Sequence, residues 1–427
     1  MRSVSLEKVI PILIFILYLV FFFSTFLLVP FHPDESTQIY MSRDVDEIFT
    51  APGSLFYHAE TTLSPEQRYR LIDAPLPRTI IGISRGIFHL PLLKPDWNWS
   101  ISWEENKANG ALPTNYSLLV ARLSLALFVP LGLVFFFLIL KSVVNWPISL
   151  LVSLVLGMNA IFLMHTRRAM AEGLSFCLFF TVIFLIIRKP EKAFLIGMLA
   201  GLAFQAKQTT LPLLFMPVIV WIINGIKSKN KLLIIKKILF FCGAIFLTYY
   251  VLNPVAWKDP FHVAILQIQH RIAFTQAQAA EYQAISSSLA VTTFPSRLAA
   301  WLANTYFATP AFYDIGNYSK ELAQAILIYG SNILHRLFSG WYFGLVTLFI
   351  GLFGFILSFR KIKSIYNSTN NTFLVLLIIS ILQTAFSIFM LPITFQRYYL
   401  LNLALSMMWV GIGVYYLSPV INKLRKR

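Results

Sequence analysis

Residues 9–35 read VIPILIFILYLVFFFSTFLLVPFHPDE: 21 uncharged residues from Val9 to Val29, then a short turn and an acidic pair, Asp34 and Glu35. At about 1.5 Å of rise per residue, the uncharged run is long enough as a helix to cross the roughly 30 Å hydrocarbon core of a bilayer. It is too long for the apolar centre of a secretory leader, and no small-residue cleavage site follows. It therefore reads as a retained first span. The two acids stand where the chain leaves the membrane.

The same pattern recurs along the chain. Of its 427 residues, 57% are hydrophobic and 12% charged, whereas a soluble domain carries about 25% charged residues. We place ten spans (range nine to twelve) at about 9–30, 117–140, 147–164, 170–187, 193–206, 210–226, 238–253, 340–359, 372–392 and 399–418. This predicts an all-α membrane protein with residues 1–427 in one transmembrane domain. The net charge of +17 does not indicate nucleic acid, because the basic residues form short clusters between apolar blocks, as orientation in a membrane demands. With both termini cytoplasmic, the inner side holds Arg2, Lys8, Lys141, Arg188, Lys189, Lys192, the 227–237 cluster, Arg360, Lys361, Lys363 and the tail from Lys423 to Arg427. That is 18 basic residues against Glu7 and Glu191, while the outer side holds 17 basic and 16 acidic residues. Two long outer loops follow, 31–116 and 254–339, the second with amphipathic stretches at 261–285, suited to the membrane surface, and 321–338, which either lies on that surface or dips into it. Cys177 and Cys242 both fall inside apolar spans, so neither a disulfide nor a cysteine-ligated metal is expected.

The polar residues with chemical potential gather on the outer side. Adjacent carboxylates at a membrane boundary repel one another and lose hydration, which suits one of them to general-base work; the plain alternative is a helix start capped by Pro33 and Asp34. Asp73-Ala74-Pro75-Leu76-Pro77-Arg78 fixes an extended turn. It either aims the forked donors of Arg78 at a phosphate or is simply a turn. Arg168 and Glu172, four apart, share a helix face as a site pair or a local salt bridge. The 193–206 span has 14 residues, about 21 Å of helix, so it stops short of the outer surface and either leaves Lys207 on the floor of an outward cavity or lets it snorkel to the interface. Its Gly197 and Gly201 permit close packing by a neighbouring helix. Arg122 lies inside the second span, where an acidic neighbour would neutralise it. Arg397-Tyr398 opens the last span, as a cation for the site or an interfacial anchor. An acidic pair and several cations on one leaflet suit a lipid carrying phosphate or diphosphate, with a carboxylate to take a proton and cations to meet the leaving group.

In this order, these motifs resemble the GT-C glycosyltransferases of the protein O-mannosyltransferase and aminoarabinose (lipid A) transferase type. The acidic pair matches Asp34 and Glu35, preceded by His32. A Pro-Pro-Leu-x-Lys element is matched imperfectly by Ala74-Pro75-Leu76-Pro77-Arg78. Ala121-Arg122-Leu123-Ser124, Arg168 with Glu172, Gly201-Leu202-Ala203 with Lys207, and Arg397-Tyr398 complete the set. Arg78 stands where the family has lysine, and Glu172 where aspartate is commoner. The resemblance implies a polyprenyl-phosphate-linked sugar donor, an extracytoplasmic acceptor that is a lipid, glycan or protein, and transfer with inversion in the cell membrane. It implies Asp34 as general base and Glu35 shaping the site. Arg168, Lys207 and Arg397 hold the donor phosphate, with Arg78 and Tyr398 assisting and His32, Arg122 and Glu172 in support. No cofactor or tightly bound metal is implied, although Asp34 and Glu172 leave a divalent ion open. Two rivals share this composition. A flippase of lipid-linked sugars would put its ionisable residues near the midplane and show repeated halves. A surface-glycan polymerase or ligase would use the late loop, where His262, His270 and Arg271 occur.

Overall fold

The structure is a computed structural model that describes residues 6–59, 63–226, 231–285, 289–313, 318–365 and 371–424. Of the charges used for orientation, Arg2, the 227–230 part of the inner cluster and 425–427 lie outside the described residues, as do the side chains of Glu7, Lys8, Arg360, Lys361, Lys363 and Lys423. Among the described residues the fold is all-α, with a single isolated antiparallel bridge between Ala290 and Ile393. The helices run α1 (Leu6–Ser24), α2 (Pro33–Met41), α3 (Asp44–Thr50), α4 (Pro65–Ile72), α5 (Leu76–Ile87), α6 (Trp103–Ala108), α7 (Asn115–Ala126), α8 (Phe128–Lys141), α9 (Trp146–Gly157), α10 (Ala160–Thr166), α11 (Glu172–Arg188), α12 (Ala193–Ala206), α13 (Pro212–Ile226) and α14 (Lys231–Leu252). The second long loop carries α15 (Pro260–Ile285), α16 (Phe294–Leu302) and α17 (Ser319–Ser331), and the chain ends through α18 (Trp341–Ile365), α19 (Thr372–Met390) and α20 (Leu400–Leu424).

All ten apolar segments are helical, but not all are straight spans. Six described helices are long and apolar enough to cross a membrane: Asn115–Lys141, Gln208–Gly225, Lys231–Leu252, Trp341–Phe359, Thr372–Met390 and Gln396–Ser418. The 147–164 segment is instead two helices, α9 and α10, bent by 64°. Asn159 causes the break. Its side-chain oxygen accepts from the backbone N–H groups of Ile161 and Phe162, each at 3.1 Å, and so starts a new helix inside an apolar run. Its amide donates to the Phe338 carbonyl. The apolar stretch Ile12–Ser24 and α12 are shorter than a full span, and α11 has 17 residues.

α11 lies at the centre. Phe176, Phe179, Phe180, Val182 and Ile183 are all buried within one core to which α1, α7, α8, α12, α19 and α20 also contribute. A helix apolar on every side belongs in such a position. On α14 and α18, by contrast, Leu239, Phe240, Phe349 and Ile356 face outward, as surfaces against lipid do. α12 packs on α14 through the expected small residues: a Cβ on Gly197 would strike the Phe241 carbonyl, and one on Gly201 would come within 2.9 Å of Thr248. The first loop is held by arginines on the acidic face of α3. Arg70 meets Asp44 and Glu47, each at 2.8 Å, Arg78 meets Asp44 at 3.1 Å, and Arg85 pairs with Asp46.

Candidate functional site

The acidic pair splits into two roles at the first turn of α2. His32, not Pro33 or Asp34, is the N-cap: its Nδ1 accepts from the Asp34 N–H at 3.2 Å, while Glu35 reaches back to accept from the His32 N–H at 3.0 Å. With Pro33 at the first helical position, this orients the two neighbouring side chains differently. Glu35 is wholly buried. Arg122 grips it with both prongs at 2.7 Å, and the Ala169 N–H donates to it at 2.7 Å. Burial by itself would push this carboxyl up, but Arg122, Arg168 and the Ala169 N–H together hold it below its ordinary value. Arg122 also donates to the Val29 carbonyl at 2.9 Å, so the pair ties the exit of α1 to α7. Arg168 extends this cluster and donates to the Phe312 carbonyl at 2.6 Å.

Asp34 points elsewhere. Its carboxylate accepts from Arg397 Nη1 at 2.5 Å and keeps about a third of its side-chain surface exposed. Arg397 sits over the Tyr398 ring with its guanidinium carbon 5.6 Å from the centroid, and Lys207 Nζ lies 5.2 Å from the same centroid. Lys207 forms an ion pair with Glu172, whose other oxygen is buried with no hydrogen-bond partner among the described residues. Two cation–carboxylate pairs therefore meet at one tyrosine. The fourteen-residue length of α12 puts Lys207 there, because the helix ends before its lysine reaches the surface.

The structure adds contacts that the motifs did not foretell. Asp73 ends α4 and lies 3.6 Å from Arg271 Nη1, on α15 of the second loop. Gln267, one turn earlier on the same face, donates to the Arg70 carbonyl at 3.1 Å, which fixes α15 along α4. The charge of Arg271 reaches Lys207, as does that of Arg397. Burial raises the Asp73 carboxyl against the pull of Arg271 and Arg78, and the nearby charge of Asp34 adds to the rise. Asp96 is raised by burial as well, although it accepts from the Tyr69 hydroxyl at 2.5 Å and from Thr37. Arg271 carried a signal only as part of the His262, His270, Arg271 group. Of that group, His262 is exposed beside the Tyr57 ring, with 6.3 Å between centroids.

The candidates thus fall into three sets. Asp34, Arg397, Tyr398, Lys207 and Glu172 form one contiguous cluster. Glu35, Arg122, Arg168 and His32 form the buried support directly behind it. Arg78 is bound into the α3 network through Asp44, with its charge felt at Asp73. Among the described residues, no three His, Cys, Asp or Glu side chains converge as metal ligands. Asp34 and Glu172, the two carboxylates considered for a divalent ion, are each paired with a cationic side chain.

No protein-family model matches the sequence, and no curated relative matches it. In fold, the chain is similar to the crystal structure of the Archaeoglobus fulgidus oligosaccharyltransferase in its apo form, with a TM-score of 0.52 at 12% identity over 97% of this chain. A second structure of that enzyme, AglB in complex with an inhibitory peptide and a dolichol-phosphate, aligns at a TM-score of 0.49 and 12% identity over 93% of this chain. The chain spans about half the length of these proteins, 51% and 48%. The likeness is one of fold, an all-α bundle of apolar helices.

Proposed function

We propose that this chain is a membrane glycosyltransferase of the GT-C type that moves a sugar from a polyprenyl-phosphate carrier to an acceptor hydroxyl on the extracytoplasmic side. The observation that carries the reading is the meeting of one partly exposed acid, Asp34, with Arg397 and Lys207 around Tyr398. A base and two phosphate-binding cations within one head group's reach are what a single displacement at an anomeric carbon needs.

In this mechanism Asp34 accepts the proton of the acceptor hydroxyl as its oxygen attacks the anomeric carbon. The bond from that carbon to the phosphate oxygen breaks, its electron pair stays on the phosphate, and the configuration inverts. Arg397 and Lys207 meet the charge that develops there, and Arg271 adds a third cation from the second loop. In the resting protein both main cations are engaged by carboxylates. An incoming phosphate competes with Asp34 for Arg397 and with Glu172 for Lys207, so donor binding loosens the hold on the base. Glu35 acts as a positioning residue through Arg122, and Arg168 and His32 hold the turn that aims Asp34. Arg78 acts through Asp44 and Asp73.

The test is sugar transfer by purified wild type and Asp34→Asn from a panel of polyprenyl-phosphate sugars in lipid nanodiscs. Loss of a general base lowers kcat by about 10²–10⁴-fold, with donor binding retained. Transfer that Asp34→Asn leaves intact removes Asp34 as base. A wild type that moves the intact lipid-linked sugar between leaflets and transfers none makes the chain a transporter.

A further inference from the structure

Beside the base lies a cluster of rings that the mechanism above does not use. Trp97, Trp103 and Tyr318 pack edge to face, with centroids 5.1–5.7 Å apart, and Phe31 joins them at 5.9–6.0 Å. Trp97 and Tyr318 are buried, and the Trp97 indole N–H donates to the Tyr318 hydroxyl at 3.2 Å. Trp99 rests on this stack, 6.0 Å from Tyr318, yet remains 40% exposed. Its other neighbour is His32, at 6.5 Å, whose Nδ1 lies 3.9 Å from the Asp34 carboxylate. An open indole is thus rigidly backed by other rings and stands one side chain from the proposed base.

We propose that Trp99 is the floor of an acceptor subsite for a carbohydrate ring, which makes the acceptor a glycan or glycolipid sugar; this rests on the glycosyltransferase reading. The apolar C–H face of a pyranose lies flat on an indole, and its rim hydroxyls need polar surroundings. Asn98 and Ser100 flank Trp99 and are exposed. The backing rings keep Trp99 in one orientation, so little side-chain freedom is lost when a sugar binds. The path through His32 then directs the far hydroxyl of a seated ring towards Asp34. A tryptophan used as a bilayer anchor is the competing role for such a residue, and the test separates the two.

The full chain in lipid nanodiscs would be probed by saturation-transfer NMR with soluble mono- and disaccharides and with Ser- and Thr-containing peptides. Ring protons of one or more saccharides are expected to receive saturation. Trp99→Ala is expected to weaken that binding by roughly two- to tenfold, the value of an aromatic face, while Trp99→Phe, which retains the ring, keeps most of it. Asp34→Asn is expected to bind saccharide as wild type does, which separates this subsite from catalysis. Persistent saccharide binding without any transfer would sink the enzyme reading and leave the subsite standing. Three outcomes overturn the proposal: Trp99→Ala and Trp99→Phe both binding saccharide like wild type, binding of peptides alone, or quenching of Trp99 fluorescence by brominated lipid acyl chains.

Discussion

Asp34 and Glu35 share a peptide bond and almost nothing else. Full burial between Arg122 and the Ala169 N–H commits Glu35 to structure, whereas Asp34 stays partly exposed beside Arg397. Replacing Glu35 by Gln leaves the Arg122 charge buried without its counterion, a loss of about 3–5 kcal/mol, read as a lower melting temperature in detergent. The pH dependence has a definite sign. The Glu35 carboxyl titrates below its ordinary 4.5 in the folded chain, so its stabilisation is complete above that pH and is lost as the pH falls through the lower folded value. The stability gap between wild type and Glu35→Gln should therefore be constant near neutrality and close as the pH drops below 4.5. A gap that stays open into acid would show that the carboxylate is not what stabilises the fold.

Among the elements, α12 was the most legible: its bounds of 193–206 follow from Lys192 and Lys207, which bracket an uninterrupted apolar run. The break at Asn159 was not legible. Gly157, which ends α9, is needed equally for close packing against the Tyr18 ring, and the Phe338 carbonyl that engages the Asn159 amide is 179 residues away. Asn159→Ala should cost about 1 kcal/mol for the cap alone and more for the lost tie to Phe338, measured by thermal unfolding. Gly197→Leu is the sharper test of the α12–α14 packing, since even a Cβ would strike the Phe241 carbonyl. It should shift the end of α12, and with it Lys207, and so weaken binding of a polyprenyl-phosphate more than the isosteric swap Leu195→Ile on the exposed side of the same helix. In the candidate site, the shared placement of Asp34, Lys207 and Arg397 could be reasoned from span lengths and charge. The approach of Arg271 to Asp73 could not, because it depends on how a second-loop helix lies along α4. Arg122 was expected to find an acid, but only the fold identifies it as Glu35.

Over the whole molecule, the orientation drawn from charge has a direct test. With Cys177 and Cys242 replaced, single cysteines at Ser54, exposed in the first loop, and at Glu191, exposed between α11 and α12, report opposite sides. A membrane-impermeant maleimide should label Ser54→Cys in intact cells and Glu191→Cys only after permeabilisation; the reverse pattern would invert the topology and put Asp34 in the cytoplasm. The bond from Arg397 to Asp34 joins residues 363 positions apart. At about 5–20 residues per second, a ribosome needs roughly 20–70 s to travel from one to the other. Throughout that interval the growing chain displays the acid without the arginine that completes its centre. Under the proposed mechanism, a half-made protein emerging from the translocon lacks a cation that meets the donor phosphate, and a product cut short before Arg397 would insert yet transfer nothing.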